Sequence, residues 1–421
     1  MDSAVIKLQK KVIVPIFLLL LITQVIQPSK VWMVLLVGVT VLTGVSYFWA
    51  RSLKNGLKLT REMRFGWSQV GDHLQERFYL TNEGWAPAVW ITVWDHSDLA
   101  GYRASTVMDI GGNAVRHWFK SGVCERRGLF TIGPTSLRTG DPFGIFDVWL
   151  EYSATSNMMV MPPIVSLPAI QVAPGGRAGE GDSLARALEQ TVSAAGVREY
   201  QPGDSLRYVH WPTTVRRGAY YVRTFDSTPA SDYWIFLDLN QEVQTGEGEE
   251  ATEEQGIILA ASLANRFLES GRAVGLAAQG ESLIWDIPRL EETQKWHILR
   301  SLALAEPGER SLEDLLSGAR GSLKYTSSLV IITPDLSGDW LDPLLLYIQR
   351  GIIPTVLLLD TPENGGEGDR SWIQERLYEL QIKFYLIGPD YLNRAERKPA
   401  LNGERQEEVV EARKMSWRPL R

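Results

Sequence analysis

The spacing of apolar positions changes character twice along the chain. Val12 to Ile26 is an apolar run, Pro28-Ser29-Lys30 breaks it, and Val31 to Ala50 is a second run without a charged residue. The second run has the roughly 20 residues needed to cross a bilayer core, whereas the first is shorter and would need local thinning or anchoring residues. A cleaved signal peptide competes for the first run, but no small-x-small cleavage site follows it and a second apolar run does. The pattern therefore predicts a transmembrane helical hairpin within residues 1–55.

From Leu57 to Pro163 the period shortens to two. Phe78 and Leu80 alternate with Arg77 and Tyr79, Asn82-Glu83-Gly84 forms a turn, and Val89, Ile91 and Val93 alternate with Trp90, Thr92 and Trp94. Arg127-Gly128, Gly133-Pro134 and Asp141-Pro142-Phe143-Gly144 punctuate further short strands. This predicts an antiparallel β-sandwich over residues 56–165. Gln171 to Ser183, glycine-rich and without periodicity, reads as a flexible link, and Leu184, Leu188 and Val192 follow at helical spacing. Residues 166–232 form a linker and junction.

From Tyr233 the class changes again. Apolar runs at Trp234–Leu237, Val274–Ala278, Leu329–Ile332, Thr355–Leu359 and Phe384–Ile387 have strand length. Between them Ile257–Leu268 and Leu341–Ile348 are amphipathic and stop at Gly271 and Gly351, while Ser311-x-x-Asp314 and Ser371-x-x-Gln374 have helix-capping spacing. Alternating strands and helices predict a doubly wound α/β sheet over residues 233–393. Residues 394–421 are polar and charged, and are expected to form a solvated tail.

Charge supplies an orientation. Lys7, Lys10 and Lys11 precede the apolar pair and Arg51, Lys54, Lys58, Arg61 and Arg64 follow it, against Lys30 alone in the connection, so the positive-inside rule puts the body of the protein in the cytoplasm, on a two-pass inner-membrane anchor. The single cysteine, Cys124, agrees with a reducing compartment. A formal charge of −7 gives no reason to expect nucleic acid as a partner. Trp67, Trp85, Trp90, Trp94, Trp118 and Trp149 read as core and cross-strand packing, with carbohydrate stacking as the minority reading.

The densest mixture of ionisable, aromatic and turn residues is Val197 to Arg223. Gln201-Pro202-Gly203-Asp204 is a turn by its chemistry, and the alternation of Arg207, Val209, Tyr221 and Arg223 with Tyr208, His210, Tyr220 and Val222 reads as strand. A fold-back would bring Arg198, Glu199, Asp204 and Arg207 together. That cluster is either a structural ion-pair network, a docking surface, or a catalytic group.

Arg198-Glu199-Tyr200, Gly203-Asp204, Arg207, Trp211, Gly218 and Arg223 resemble the signature of the bacterial domain-of-unknown-function family fifty-eight, REY-x-x-GD-x-x-R-x-x-x-W. His210 stands where that pattern has an acidic residue and Pro212 where it has a basic one. The spaced RG, GP and DPFG turns upstream also resemble the family. The α/β region in turn resembles a von Willebrand factor A domain, whose D-x-S-x-S motif, distant Thr and second Asp gather a divalent cation. Asp238 matches the first Asp, but Asn240 and Glu242 replace both serines, Arg310 falls at the Thr position, and Asp335 stands for the second Asp. An Arg cannot ligate and would neutralise the carboxylates in a cation's place, so the site reads as degenerate and no metal or other cofactor is expected.

None of His73, His96, His117, His210 and His297 has metal-ligand spacing, and no phosphate-binding loop occurs in a strand-to-helix context. No catalytic constellation is recognisable. The resemblance implies a membrane-tethered adaptor working with a MoxR-type AAA+ ATPase, and with a transglutaminase-like membrane protein as a further partner. The alternatives are a membrane-associated hydrolase using Glu199, Asp204 and His210, or a metal-dependent binding module of the von Willebrand type.

Overall fold

The computed structural model describes residues 3–168, 170–173, 194–201, 209–225, 232–324, 326–352, 354–360, 367–388, 392 and 418–419. They belong to two compact units, Met1–Pro163 with Glu396–Arg421, and Ile164–Ala395.

The first unit begins with β1 (Ser3–Leu8), which enters two helices, α1 (Ile13–Ile26) and α2 (Lys30–Gly56). Ser29 caps α2 by accepting from the Trp32 N–H at 3.3 Å. Among the described residues α2 is the one helix long and apolar enough to cross a membrane; α1 is apolar but has 14 residues. Most α2 side chains from Val31 to Val45 face outward, while Ser46, Ala50, Leu53 and Gly56, spaced three and four apart on one face, are buried. The apolar run thus ends inside the β domain.

The strands that follow are β2 (Leu57–Met63), β3 (Trp67–Gln69), β4 (His73–Asn82), β5 (Ala88–Asp95), β6 (Thr106–Ile110), β7 (Ala114–Val123), β8 (Gly128–Ile132), β9 (Thr135–Gly140), β10 (Phe146–Tyr152) and β11 (Ser156–Met161). They form an antiparallel sheet β1-β10-β9-β5-β6, a second containing β2-β4-β7, and a small sheet β3-β11-β8. Leu57 and Leu80 from the second sheet share one core with Ile91, Leu137, Val148 and Leu150 from the first, and Leu53 of α2 joins them. The expected two-sheet packing is therefore present. β1, which periodicity did not reveal, pairs along its whole length with β10, from Ser3 opposite Glu151 to Leu8 opposite Phe146.

Between the two sheets lies an ion-pair network that the sequence did not announce. Arg61 donates to both Glu76 oxygens at 2.9 and 2.6 Å and to Asp95 at 2.6 Å, and its guanidinium lies 5.0 Å from the centre of the Phe78 ring. Tyr102 donates its hydroxyl to Glu76. Burial works against the Arg61 charge, but Glu76 and Asp95 more than offset it and hold its pKa above the ordinary arginine range. Burial and the Glu76 charge push the Tyr102 phenol above its ordinary range.

The tryptophans mostly pack across strands, Trp118 stacking on Phe78 at 5.1 Å and Trp94 on Trp149 at 5.5 Å, although Trp67 and Trp85 are exposed. At the far end of the chain β20 (Arg418–Pro419) pairs with Glu62–Met63, so the expected solvated tail has at least one strand contact; residues 393–417 lie outside the described residues.

The second unit carries the antiparallel pair β12 (Ala194–Glu199) and β13 (Tyr221–Phe225), with α3 (Trp211–Arg217) between them. Its main sheet comprises β14 (Tyr233–Asp238), β15 (Val274–Gln279), β16 (Leu283–Arg289), β17 (Ser328–Thr333), β18 (Pro354–Leu359) and β19 (Lys383–Ile387), in the order β16-β15-β14-β17-β18-β19. All neighbours are parallel except β15 and β16. The helices are α4 (Thr252–Glu269), α5 (Glu292–Ala303), α6 (Leu312–Gly318), α7 (Leu341–Gln349) and α8 (Glu367–Glu379).

Each of the five apolar runs lies in a strand buried within this sheet or at its edge, and Gly271 and Gly351 take the left-handed conformation just past their helices. Ser311 caps α6 by accepting from the Asp314 N–H, as its spacing predicts. Ser371 does not cap: α8 starts at Glu367, so Ser371 lies inside it. The expected helix through Leu184, Leu188 and Val192 lies outside the described residues, as does most of the glycine-rich link. Its first residues are held, since Ala173 N–H donates to Thr355 Oγ1 at 2.9 Å.

Candidate functional site

The chain runs from β14 outward to β15 and β16 on one side and then crosses to β17 on the other, so the strand order reverses at β14. In open sheets of this kind ligands bind at the carboxyl ends of the strands at such a point. Asp238 is the last residue of β14 and Thr333 the last of β17. Asp238 is 3% exposed. Its Oδ1 accepts from the Asn240 N–H at 3.0 Å and its Oδ2 from the Thr333 hydroxyl at 2.6 Å. Burial pushes the carboxyl up to about 6; the bonds from Thr333 and Asn240 oppose that rise and the charge of Asp335 adds to it.

The neighbouring turns are also closed upon themselves. Asn240 Oδ1 accepts from the Glu242 N–H, Asp335 N–H donates to Thr333 Oγ1, and Asp335 Oδ1 accepts from the Ser337 N–H at 2.7 Å. Thr333 thus bridges the two acidic residues. Sequence reasoning passed over it, although a threonine ending an apolar run immediately before Pro334-Asp335 was a usable signal.

The loop aligned on the distant threonine does lie at this edge: Gly308 N–H donates to Leu239 O at 2.9 Å and Gln241 N–H to Gly308 O at 2.8 Å. The expected role of Arg310 does not follow. Its guanidinium turns outward to Asp314 at 3.9 Å, and both side chains are more than half exposed. Arg310 stands just before Ser311, the N-cap of α6, and its side chain lies in solvent beside Asp314 of the first turn. Thr333, a neutral donor, closes Asp238 instead. Among the described residues no three of His, Cys, Asp and Glu are gathered as a metal would require.

The signature segment is built differently from the simple hairpin expected. Arg198 pairs with Val222 and Glu199 with Tyr221, so the strand partner of the REY stretch is β13. Val209 bridges to Val222, and His210 N–H donates to Tyr221 O at 2.7 Å. The chain then turns into α3, which alternation had not predicted. His210 Nδ1 lies 2.8 Å from Thr213 Oγ1 in the first turn of that helix, and Gly218 ends it with φ of 70°. This contact orients the His210 ring through one of its two nitrogens, at the start of α3. Gly203, Asp204 and Arg207 lie outside the described residues, as does the side chain of Arg223, so the expected ion-pair cluster is not described.

What the segment presents is apolar. Trp211 and Val215, one turn apart on α3, are 61% and 80% exposed, and Tyr220 is 54% exposed. Arg216 and Arg217 lie beside them in the last turn, with Arg217 5.4 Å from the centre of the Tyr221 ring. Arg198 and Glu199 are exposed on β12, and Tyr200 packs against Tyr220.

Residues 196–365 match the family described as "Protein of unknown function DUF58", which bears out the resemblance over that stretch. The uncharacterized protein YeaD of Bacillus subtilis is 26% identical over 285 residues, 64% of this chain and 67% of that protein. An uncharacterized protein of Mycobacterium tuberculosis is 25% identical over 171 residues, so that this chain spans about half, 53%, of its length. Among solved structures, an aerotolerance-related membrane protein from Bacteroides fragilis aligns at a TM-score of 0.29 and 13% identity, covering 38% of this chain and 93% of that one. A CARDB domain from Pyrococcus furiosus aligns at 0.19 and 12% identity, covering 25% and 94%. Neither score is high enough to bear on the fold.

Proposed function

We propose that this chain, whose residues 196–365 carry the DUF58 segment, is a membrane-tethered adaptor without chemistry of its own, and that its partner is a MoxR-type AAA+ ATPase. The observation that carries the reading is the exposed set Trp211, Val215 and Tyr220 beside Arg216 and Arg217, in the segment that holds the family signature. Trp, Tyr and Arg are the residue types that dominate protein interfaces, and an aromatic held on a short capped helix loses little entropy on docking. A transglutaminase-like membrane protein is the expected second partner.

The second unit is read as a von Willebrand factor A-like domain adapted to binding without a cation. Support comes from the strand order with its single antiparallel edge, and from Asp238, whose oxygens already accept from Thr333 and Asn240.

The tether is read as a two-pass hairpin of α1 and α2 with the body on the cytoplasmic side. What supports two crossings is that β1, before the helices, and β10, after them, share one sheet, so the chain leaves the β domain and returns to it on the same side. At about 1.5 Å per residue the 14 residues of α1 span about 21 Å, so the bilayer would be thinned around it.

The test is co-purification of the full chain in nanodiscs with a MoxR-type ATPase locked in its ATP-bound state. Binding is expected to weaken at least tenfold in the double variant Trp211→Ala, Val215→Ala. Undiminished binding by that variant would remove the proposed surface, and failure to retain any AAA+ protein would remove the partner.

A further inference from the structure

We infer that the helix-proximal end of the β domain is itself a bilayer-docking surface, with Trp85 and Phe143 seated in the lipid headgroup layer. This rests on the reading that α1 and α2 enter the membrane, and deepens it: the domain lies on the bilayer instead of hanging below it.

The strand register brings the relevant turns to one end. Leu57 pairs with Asn82, Asn82 with Ala114, Ala88 with Ile110, and Leu8 with Phe146, so the β4–β5, β6–β7 and β9–β10 turns all gather where α2 enters and β1 leaves. Two of these turns carry an outward aromatic residue. Trp85, in the β4–β5 turn, is 59% exposed and packs edge-on against Trp49 of α2 at 5.4 Å; Trp49 in turn donates to Pro87 O at 3.0 Å. Phe143, in the β9–β10 turn, is 49% exposed. Lys10, three residues before α1, donates to the Phe143 carbonyl at 3.3 Å.

These contacts fix the depth of both side chains. Exposed apolar residues on α2 run from Val31 to Phe48, about 27 Å of helix at 1.5 Å per residue, close to the thickness of a bilayer core. Burial in the β domain begins at Ser46 and recurs at Ala50. Trp49 and its partner Trp85 therefore lie at the boundary, and so does Phe143 beside Lys10 at the foot of α1. Amphipathic aromatic rings concentrate at that level, and lysines there reach lipid phosphates.

The acidic groups at this end are already satisfied. Glu83 pairs with Lys58 at 2.6 Å, Asp109 with Arg116 at 2.6 Å and Asp147 with Arg138 at 2.7 Å, while buried Asp141 accepts from the Phe143 and Phe146 N–H groups. Repulsion of an anionic headgroup layer is thereby reduced, and Lys10, Lys11 and Arg51 are exposed toward it.

The experiment uses the full chain in nanodiscs whose lipids carry bromine both near the headgroup and along the acyl chains. An environment-sensitive fluorophore is attached through Trp85→Cys, Phe143→Cys, Leu35→Cys on α2, or Leu129→Cys on β8, at the opposite end of the domain; native Cys124 is buried, and the unsubstituted chain is the labelling blank. Quenching of at least twofold is expected at positions 85, 143 and 35, with none at 129. Quenching at 35 together with values at 85 and 143 equal to that at 129 would overturn the docking surface and leave the tether standing. No quenching at 35 would overturn both.

Discussion

The Thr333 hydroxyl reaches Asp238 Oδ2 at 2.6 Å and joins the ends of two neighbouring parallel strands in the middle of the sheet. The carboxyl it meets is buried and is pushed up to about 6 by that burial, from an ordinary value of about 3.9. The folded state therefore holds a proton that the unfolded state releases at lower pH. The stabilisation this confers is complete below the ordinary carboxylate range and is lost as pH rises through about 6, a change on the order of 3 kcal/mol. Between pH 4 and 7 the melting temperature of the wild type is expected to fall relative to that of Asp238→Asn, whose amide does not titrate. Parallel melting curves for the two proteins across that range would show that Asp238 is not the group responsible.

Arg310 gives a contrasting expectation. Had it neutralised Asp238, replacing it would expose the carboxylate pair and cost several kcal/mol. It instead pairs with Asp314 at 3.9 Å across solvent, an interaction worth about 1 kcal/mol or less. Arg310→Thr should leave both the melting temperature and its pH dependence within error of the wild type.

The larger electrostatic sensitivity lies in the other unit. Arg61→Met leaves Glu76 and Asp95 as buried carboxylates without their cation, and breaking a buried pair from one side costs about 3–5 kcal/mol. Arg61→Lys keeps the charge but loses the forked contact with both Glu76 oxygens, and should recover only part of that loss. Urea unfolding of the β domain, followed by the fluorescence of its half-buried tryptophans such as Trp118, which stacks on Phe78, would rank the two variants. Equal stability of wild type and Arg61→Met would refute the importance of the network.

Gly308 tests how closely the loop at the sheet edge is packed. A Cβ there would lie 2.2 Å from the Gly280 carbonyl carbon, and one at Gly280 would lie 1.8 Å from Glu306 O. Neither neighbour is a flexible side chain, so the backbone itself must move. Gly308→Ala is expected to destabilise the unit by about 1–3 kcal/mol and to raise amide exchange at Gln241, whose N–H donates to the Gly308 carbonyl.

Periodicity made much of this architecture readable, because burial of one face or of a whole strand forces it. The apolar runs from Trp234 to Leu359 lie in strands buried on both sides, and such runs need no partner to be recognised; that of β19, at the sheet edge, is only partly buried. Elements whose stability comes from distant partners were hidden. β1 carries Lys7 among its alternating residues and is recognisable only through β10, while β16, at a sheet edge and interrupted by Asp286 and Pro288, has an apolar run of only three residues, Leu283 to Trp285. α3 was concealed because Pro212 looks like a strand terminator, although proline is well suited to a first helical turn. At the sheet edge, Asp238 and Asp335 could be found by motif spacing. Thr333 could be suspected from its place at the end of an apolar run, but its bond to Asp238 follows from the β14–β17 pairing and the outward turn of Arg310 from its exposed contact with Asp314, neither of which motif spacing shows.

The placement of β1 leads to a prediction about topology in which the number of crossings is independent of charge counting and only the orientation is taken from it. Val5 is 44% exposed on β1 and Leu129 52% exposed on β8, and both strands belong to one folded unit. If α1 and α2 form a hairpin, Val5→Cys and Leu129→Cys must react with an impermeant thiol reagent from the same face of the membrane, and Pro28→Cys, in the turn between the helices, from the other. Native Cys124 does not interfere, being buried with its thiol pushed up by that burial. In intact cells the reagent should modify position 28 alone, and after permeabilisation all three. Modification at 5 and 129 without permeabilisation would reverse the orientation, and modification at 5 but not at 129 would require β1 to leave its sheet and α1 and α2 together to cross an odd number of times.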